Sequence, residues 1–126
     1  MINIEKQIEY WISNAEDDIL TANLLIKEKR FLHGLFFCHL VVEKALKANF
    51  VKNNKDFAPR SHNLFYLSEK GNISFSEEKQ IFLGILMKYQ LQGRYPDYNP
   101  HIPNESKVNE YLEMTKSLLL WLKEKL

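Results

Sequence analysis

An arginine and a histidine with six residues between them, Arg94 and His101, stand in the segment QGRYPDYNPHIP. The guanidinium group offers a fixed fork of donors to phosphate oxygens, and its charge does not titrate away. An imidazole gives or takes a proton near neutral pH, so the pair suits attack of a ribose 2′-hydroxyl on the neighbouring phosphate without a metal. RNA carries that hydroxyl and DNA does not, so the pair indicates chemistry on RNA.

The residues beside this pair allow two interpretations. In the first, the rings of Tyr95 and Tyr98 stack on bases while Arg94 holds phosphate. In the second, Arg94 forms an ion pair with Asp97, and His101 is a polar residue of a solvated loop. Spacing alone favours the second interpretation, because such pairs often arise by accident.

Two further polar residues are candidates for a supporting role. His62, together with Arg60, could contact phosphate at the start of a short helix, although a histidine there more often locks a loop by bonding to the backbone. Glu43 precedes Lys47 by four residues, a spacing that supports a helix. The functional alternative is that Glu43 reaches across the protein to orient Arg94.

Size and charge limit the kinds of partner. The 126 residues fit one domain, 1–126, with a single core. The 17 Lys and Arg residues against 16 Asp and Glu leave a net charge of +1, so any nucleic-acid contact must be a local patch. Neither HExxH, paired CxxC, a glycine-rich phosphate loop nor GxSxG occurs, so we expect no metal and no other cofactor.

The compartment follows from cysteine usage and hydropathy. Cys38 is the only cysteine and lies in the apolar run LFFCHLVV, where it forms no internal disulfide, as suits a reducing cytoplasm. No apolar run approaches the roughly 18 residues that a membrane span needs, and the N-terminus has no leader pattern. We therefore expect a soluble, unprocessed cytoplasmic protein with no membrane contact.

Helical periodicity dominates the first half of the chain. Residues 4–28 place apolar side chains at steps of three and four, with Asn3 as a predicted N-cap. The next segment, from about Phe31 to Lys52, is apolar on more than one side. Such a helix is either central in the fold or buried on two sides, by the core on one side and by another molecule on the other. A second copy of the protein, in a symmetric dimer, is the commonest such molecule.

Three further helices are predicted in the second half. Ser61 is the predicted N-cap of a short helix that stops at Gly71. Ser74 with Glu77 has the spacing of a capping box and opens a helix that continues through Tyr89. Asn104 is the predicted cap of the last helix. With no competing strand signal, the chain is predicted to be all-α, an antiparallel bundle of four long helices with an additional short helix.

Several of these segments occur together in one known family. Trp11, Ala15 and Asp18 in the first helix are followed by FLHGLFFCHLVVEKALKANF, by SHNLFYL, and by RYPDYN before a closing helix that ends LLLWLKEKL. This order resembles the HEPN family of small helical proteins, and the resemblance covers nearly the whole chain. EKALK, HNL and RYPD in combination carry it.

The resemblance implies an up-and-down helical bundle that forms a homodimer, often encoded beside a minimal nucleotidyltransferase as a toxin and antitoxin pair. Many members are metal-independent endoribonucleases whose motif is an arginine, four to six residues, and a histidine; Arg94 and His101 match it at the upper limit. In such a dimer the two pairs face one cleft where RNA is cut. Pro96, Pro100 and Pro103 would hold the loop so that both side chains point into it.

One departure keeps an alternative open. Catalytic members usually carry a small polar residue straight after the arginine, whereas Tyr95 and Pro96 follow Arg94 here. Members with RYPD resemble a branch that binds nucleotides or docks a nucleotidyltransferase without cutting RNA. The alternative is therefore a non-catalytic, dimeric module in which Arg94, Tyr95 and Tyr98 bind a nucleotide or a partner.

Overall fold

The computed structural model of the chain describes residues 2–90 and 101–126, and this part consists of α-helices and connecting loops without a strand. The helices are α1 (Ile4–Lys27), α2 (Phe31–Asn54), α3 (Leu64–Lys70), α4 (Glu77–Met87) and α5 (Glu105–Glu124). The predicted all-α class, with four longer helices and one short one, is confirmed. None of the described helices is both long enough and apolar enough to cross a membrane.

Helix α2 is the centre of the fold and packs against each of the other four helices. Thirteen of its 24 residues are buried, including polar Glu43, Lys47 and Asn49. Its apolar residues therefore face in several directions because helices of the same chain surround it. The prediction that α2 is central is confirmed, and its burial needs no second copy of the protein.

The other helices form two pairs around α2. Helices α1 and α5 contact each other as well as α2, and so do α3 and α4. Polar bridges hold α1 to its neighbours: Lys44 Nζ lies 2.6 Å from Asp18 Oδ2, and Lys123 Nζ lies 2.7 Å from Glu16 Oε2. The Cα atoms of α4 and α5 do not come within 8 Å of each other. A cleft therefore runs between these two helices.

Asparagine caps begin α1 and α5 as predicted. The Asn3 side chain accepts a hydrogen bond from the Lys6 amide, and the Asn104 side chain accepts one from the Lys107 amide at 2.8 Å. Gly71 stands at the end of α3, also as predicted.

Two predicted caps were wrong. Helix α3 is capped by Asn63, whose Oδ1 accepts from two amides of the first turn, while Ser61 Oγ accepts from the Asn63 amide and shapes the turn before the helix. Helix α4 is capped by Ser76, not Ser74. Phe75 packs against the ring of Trp121, with centroids 5.4 Å apart, so this residue stays outside the helix.

Helix α4 also ends earlier than predicted, at Met87. The next two amides, of Lys88 and Tyr89, bond to carbonyls three residues back, which tightens the chain into a turn. The Tyr89 side chain is nonetheless buried, as its place in the apolar pattern predicts, although the residue lies beyond the end of the helix. This turn faces the start of α5.

Candidate functional site

The predicted site residues divide between the described and the undescribed parts of the chain. Arg94, Tyr95, Asp97 and Tyr98 lie outside the described residues. His101, Glu43 and His62 are described. The geometry of the site is therefore built from these three residues and their neighbours.

His101 lines a cavity of about 480 Å³ between the end of α4 and the beginning of α5. This volume falls within the range of small-ligand sites. We call it the His101 cavity, and its described lining residues are Ile85, Lys88, Tyr89, His101, Pro103, Asn104, Lys107 and Tyr111.

Local sequence explains why these side chains meet. The Asn104 cap starts α5 directly after Pro103, which places Lys107 in the first turn and His101 just before the helix. On the facing side, the turn after α4 presents Lys88 and Tyr89. The cavity is thus formed by two helix ends rather than by one continuous surface.

The described lining of the His101 cavity is cationic. It contains Lys88, Lys107 and His101 but no aspartate or glutamate. The Lys107 ammonium lies 3.3 Å from Glu110 Oε2, but both side chains are about half exposed, and such a pair is screened by solvent and contributes little. The lysine therefore remains able to turn towards an anion in the cavity.

An aromatic wall accompanies these cations. The Tyr89 side chain is buried, and the half-buried Tyr111 ring lies beneath the Lys107 ammonium, 5.7 Å from nitrogen to centroid. Lysines suit phosphate oxygens, and a tyrosine face suits a base. The exposed His101 imidazole adds a group that can move a proton. Together these groups can bind a phosphate that is joined to an aromatic base and can move a proton beside it.

Glu43 and His62 form a second polar group that the structure brings together. Glu43 is only 3% exposed; its Oε1 accepts from His62 Nδ1 at 2.9 Å, and its Oε2 accepts from Lys47 Nζ at 3.1 Å. His39, buried in α2, donates its Nε2 proton to the His62 carbonyl at 3.0 Å. Lys47 also lies over the Trp11 ring, 5.0 Å from its centroid. His62 is therefore held through both its ring and its backbone.

This group lies beside the same end of α4 as the His101 cavity. The Leu64 amide, two residues after His62, donates to Met87 Sδ in the last turn of α4. Lys88, the residue after Met87, lines the His101 cavity. The predicted contact of Glu43 with Arg94 stays a prediction, because Arg94 lies outside the described residues.

The thiol of Cys38 belongs to neither of these two groups of residues. Burial raises the pKa of its thiol from 9.0 to about 11, while a hydrogen bond with Thr115 and the charge of Lys116 act in the opposite direction. The thiol is therefore protonated at neutral pH, and the thiolate is the reactive form. Its role is packing in the core.

The sequence prediction did not include Lys88 or Lys107. Lys107 is the third residue of α5, where the positive end of the helix dipole disfavours a cation, but Lys6 and Lys79 hold the same position in α1 and α4, so this place does not single it out. Lys88 carries no signal either, because a cation at a helix C-terminus is ordinary.

Comparison with known proteins gives one family and one fold. The model of the HEPN domain matches residues 8–126. The crystal structure of TT1696 from Thermus thermophilus superposes with a TM-score of 0.80 over 95% of this chain and 98% of that chain, at 20% sequence identity. At that identity the likeness shows a shared fold. Among curated proteins, none matches the chain.

Proposed function

Because the chain belongs to the HEPN domain family, which indicates a function related to nucleotides or RNA, we propose that it binds RNA or a nucleotide through the His101 cavity. One observation carries the proposal: the described lining combines two lysines and a histidine with tyrosine and has no carboxylate. Such a surface attracts phosphate and accepts a base.

The proposed binding mode assigns a task to each described residue. Lys88 and Lys107 contact phosphate oxygens, and the Tyr111 ring supports a base. Arg94 is proposed to add a guanidinium to the same phosphate, and Tyr95 and Tyr98 to add stacking surfaces. These last three assignments follow from the sequence pattern.

A second candidate function is metal-independent cleavage of RNA, favoured by the exposed His101 imidazole at the edge of the cavity. The ribose 2′-oxygen attacks the adjacent phosphorus and the bond to the 5′-oxygen breaks, which leaves a 2′,3′-cyclic phosphate and a 5′-hydroxyl. The 2′-hydroxyl loses a proton and the leaving oxygen gains one, and His101 is proposed to move a proton in this step. Arg94 is proposed to stabilise the charge on the phosphate.

Binding is tested by fluorescence anisotropy with a short labelled single-stranded RNA at several salt concentrations, and with ATP and GTP as competitors. Each phosphate contact contributes about 0.7 to the slope of log affinity against log salt for single strands. Lys88→Ala with Lys107→Ala should therefore lower that slope by about 1.4. The matched control replaces two exposed lysines of α1, Lys6 and Lys27, and should leave the slope unchanged.

Cleavage is tested on the same RNA in the presence of a chelator, with the products resolved on a gel. If His101 moves the proton, His101→Ala removes cleavage and retains RNA binding. Intact RNA after prolonged incubation with the folded wild-type protein rejects the second candidate and leaves the binding function. Equal anisotropy slopes for wild type and the lysine double variant reject the binding site itself.

Assembly is proposed on the family resemblance alone. We propose that the four long helices form an antiparallel up-and-down bundle, that the chain is a homodimer, and that it works with a minimal nucleotidyltransferase as a toxin and antitoxin pair. Light scattering of the purified chain tests the dimer, and a monomer at all concentrations rejects it. Co-purification with the product of a neighbouring nucleotidyltransferase gene tests the partner.

A further inference from the structure

A second cavity, separate from the His101 cavity, opens further along the cleft between α4 and α5. Its volume is about 570 Å³, and the Phe82 and Tyr111 rings, with centroids 6.0 Å apart, lie between the two cavities. We call it the α4–α5 groove. Its lining residues are Ser76, Glu78, Lys79, Phe82, Glu110, Glu113, Met114, Ser117, Leu118 and Trp121.

Helix α5 supplies most of this groove from one continuous stripe. The stripe follows the three-and-four spacing of a helix face and consists of Glu110, Glu113, Met114, Ser117, Leu118 and Trp121. It lies beside the stripe that packs in the core, which includes Val108, Leu112, Thr115 and Leu122. From Glu110 to Trp121 the stripe is about 16 Å long, or about three helical turns.

The floor of the groove is apolar. Phe82 and Leu118 are each 3% exposed, and Met114 and Trp121 are half-buried on the walls. Tryptophan and methionine are enriched where proteins meet, because an indole offers a large rigid surface and a thioether adapts its shape. The floor therefore suits apolar side chains of another chain.

The rim of the groove is acidic. Three carboxylates, of Glu78, Glu110 and Glu113, line it against the single ammonium of Lys79 among the described lining residues. Glu110 and Glu113 also pair with Lys107 at 3.3 Å and Lys116 at 2.9 Å, but these four side chains are 40–69% exposed, so the pairs contribute little and both carboxylates can meet another cation. The Trp121 ring is already a platform for cations, since Lys79 Nζ lies 3.9 Å and Lys125 Nζ 4.2 Å from its centroid. This charge is opposite to that of the His101 cavity and disfavours a nucleic acid.

We propose that the α4–α5 groove docks a helical segment of a partner protein that carries apolar side chains on one face, flanked by arginine or lysine. Charge complementarity selects this occupant: its apolar face covers the floor between α4 and α5, and its cations meet Glu78, Glu110 and Glu113. A segment of about 12 residues spans about 18 Å as a helix, enough to fill the groove.

The test uses two labelled synthetic peptides of about 12 residues, which as helices match the groove in length. Both carry leucines at helical spacing; one has flanking arginines, and the other has glutamates at the same places. Titration with the wild-type protein should show binding of the arginine peptide and not of the glutamate peptide. Amide chemical shifts should move for groove residues on α4 and α5.

Charge reversal separates the groove from general electrostatics. Glu78→Lys with Glu113→Lys should weaken the arginine peptide at least about tenfold and create binding of the glutamate peptide. The control, Glu5→Lys with Glu9→Lys on the exposed face of α1, has the same net charge and should behave as wild type.

Four outcomes would overturn the proposal. They are no preference of the wild type for the arginine peptide, equal weakening by the α1 control, failure of the reversed groove to bind the glutamate peptide, and occupation of the groove by a second copy of the chain. The last would appear as concentration-dependent shifts of the same amides without any peptide. None of these outcomes depends on RNA binding, so this proposal and the proposed function are tested independently.

Discussion

Glu43→Gln is predicted to be the most destabilising single change that keeps the shape of a polar side chain. In the wild type the Glu43 carboxylate accepts from Lys47 at 3.1 Å and from His62 at 2.9 Å, and the side chains of Glu43 and Lys47 are only 4% and 7% exposed. The neutral amide leaves the Lys47 ammonium inside the protein without a counter-charge. It also replaces one of the two acceptor oxygens by an NH₂ group that only donates, so either Lys47 or His62 loses its acceptor.

The expected size follows from the burial of both partners. Removing one member of a buried ion pair costs about 3–5 kcal/mol, because the other charge stays desolvated and uncompensated. A domain has a total stability of about 5–15 kcal/mol, so this loss is a large fraction of it. For a chain of this length, 1 kcal/mol corresponds to about 3–5 °C in the midpoint of thermal unfolding. Glu43→Gln should therefore lower the midpoint by at least about 10 °C.

Urea unfolding followed by circular dichroism measures the change, and two further variants control it. Glu43→Met with Lys47→Met removes both charges and should recover most of the loss, because two apolar side chains of similar volume can replace a buried pair. Glu9→Gln, on the exposed face of α1, should change stability by less than about 0.5 kcal/mol. A loss below about 1 kcal/mol for Glu43→Gln would show that the carboxylate does not compensate a buried charge.

Three further predictions concern stability. The pKa of the Cys38 thiol in the folded protein, about 11, lies above the usual 9.0, so the thiol of the unfolded chain ionises first as pH rises. The free energy of unfolding should therefore fall by up to about 3 kcal/mol between about pH 9 and 11. Urea unfolding of Cys38→Ala should lack this component. Gly34→Ala should destabilise by about 1–3 kcal/mol, because the added Cβ overlaps the Ile26 side chain, and its thermal midpoint should drop. Asn63→Ala should cost about 1 kcal/mol in urea unfolding and Ser61→Ala less, whereas the reverse order would restore Ser61 as the cap.

The helices were predictable because their signals are local. The apolar spacing of α1 and the caps Asn3 and Asn104 depend on residues within one or two turns, and the structure confirms them. Ser61 and Ser74 failed because Asn63 and Ser76 compete for the same role a few residues away. Tertiary contacts decide that competition, among them the packing of Phe75 on Trp121. Capping propensity alone does not distinguish Ser74 from Ser76.

The arrangement of side chains in the sites was less accessible from sequence. Glu43 and His62 are 19 residues apart, as are Lys88 and Lys107, and only the packing of different helices brings either pair together. Taken singly, these residues have ordinary local explanations, such as helix support or a solvated charge. The balanced net charge of +1 likewise hides that the described lining of the cleft between α4 and α5 has more cations at one end and more carboxylates at the other.

These two ends share an ion pair, which predicts that their ligands are coupled. Glu110 lines the α4–α5 groove and holds Lys107, which lines the His101 cavity, at 3.3 Å. An arginine docked against Glu110 releases Lys107 towards phosphate, so a basic helix and RNA should each tighten the binding of the other.

The coupling is bounded by the strength of the exposed pair between Lys107 and Glu110, about 0.2–1 kcal/mol, or up to about fivefold in affinity. RNA anisotropy with and without the arginine peptide measures it. Glu110→Gln removes the pair, so this variant should bind RNA more tightly than wild type before any peptide is added, and should then show no further gain. If the peptide strengthens RNA binding equally in Glu110→Gln, the cations of the peptide attract RNA directly, and the shared ion pair does not link the two sites.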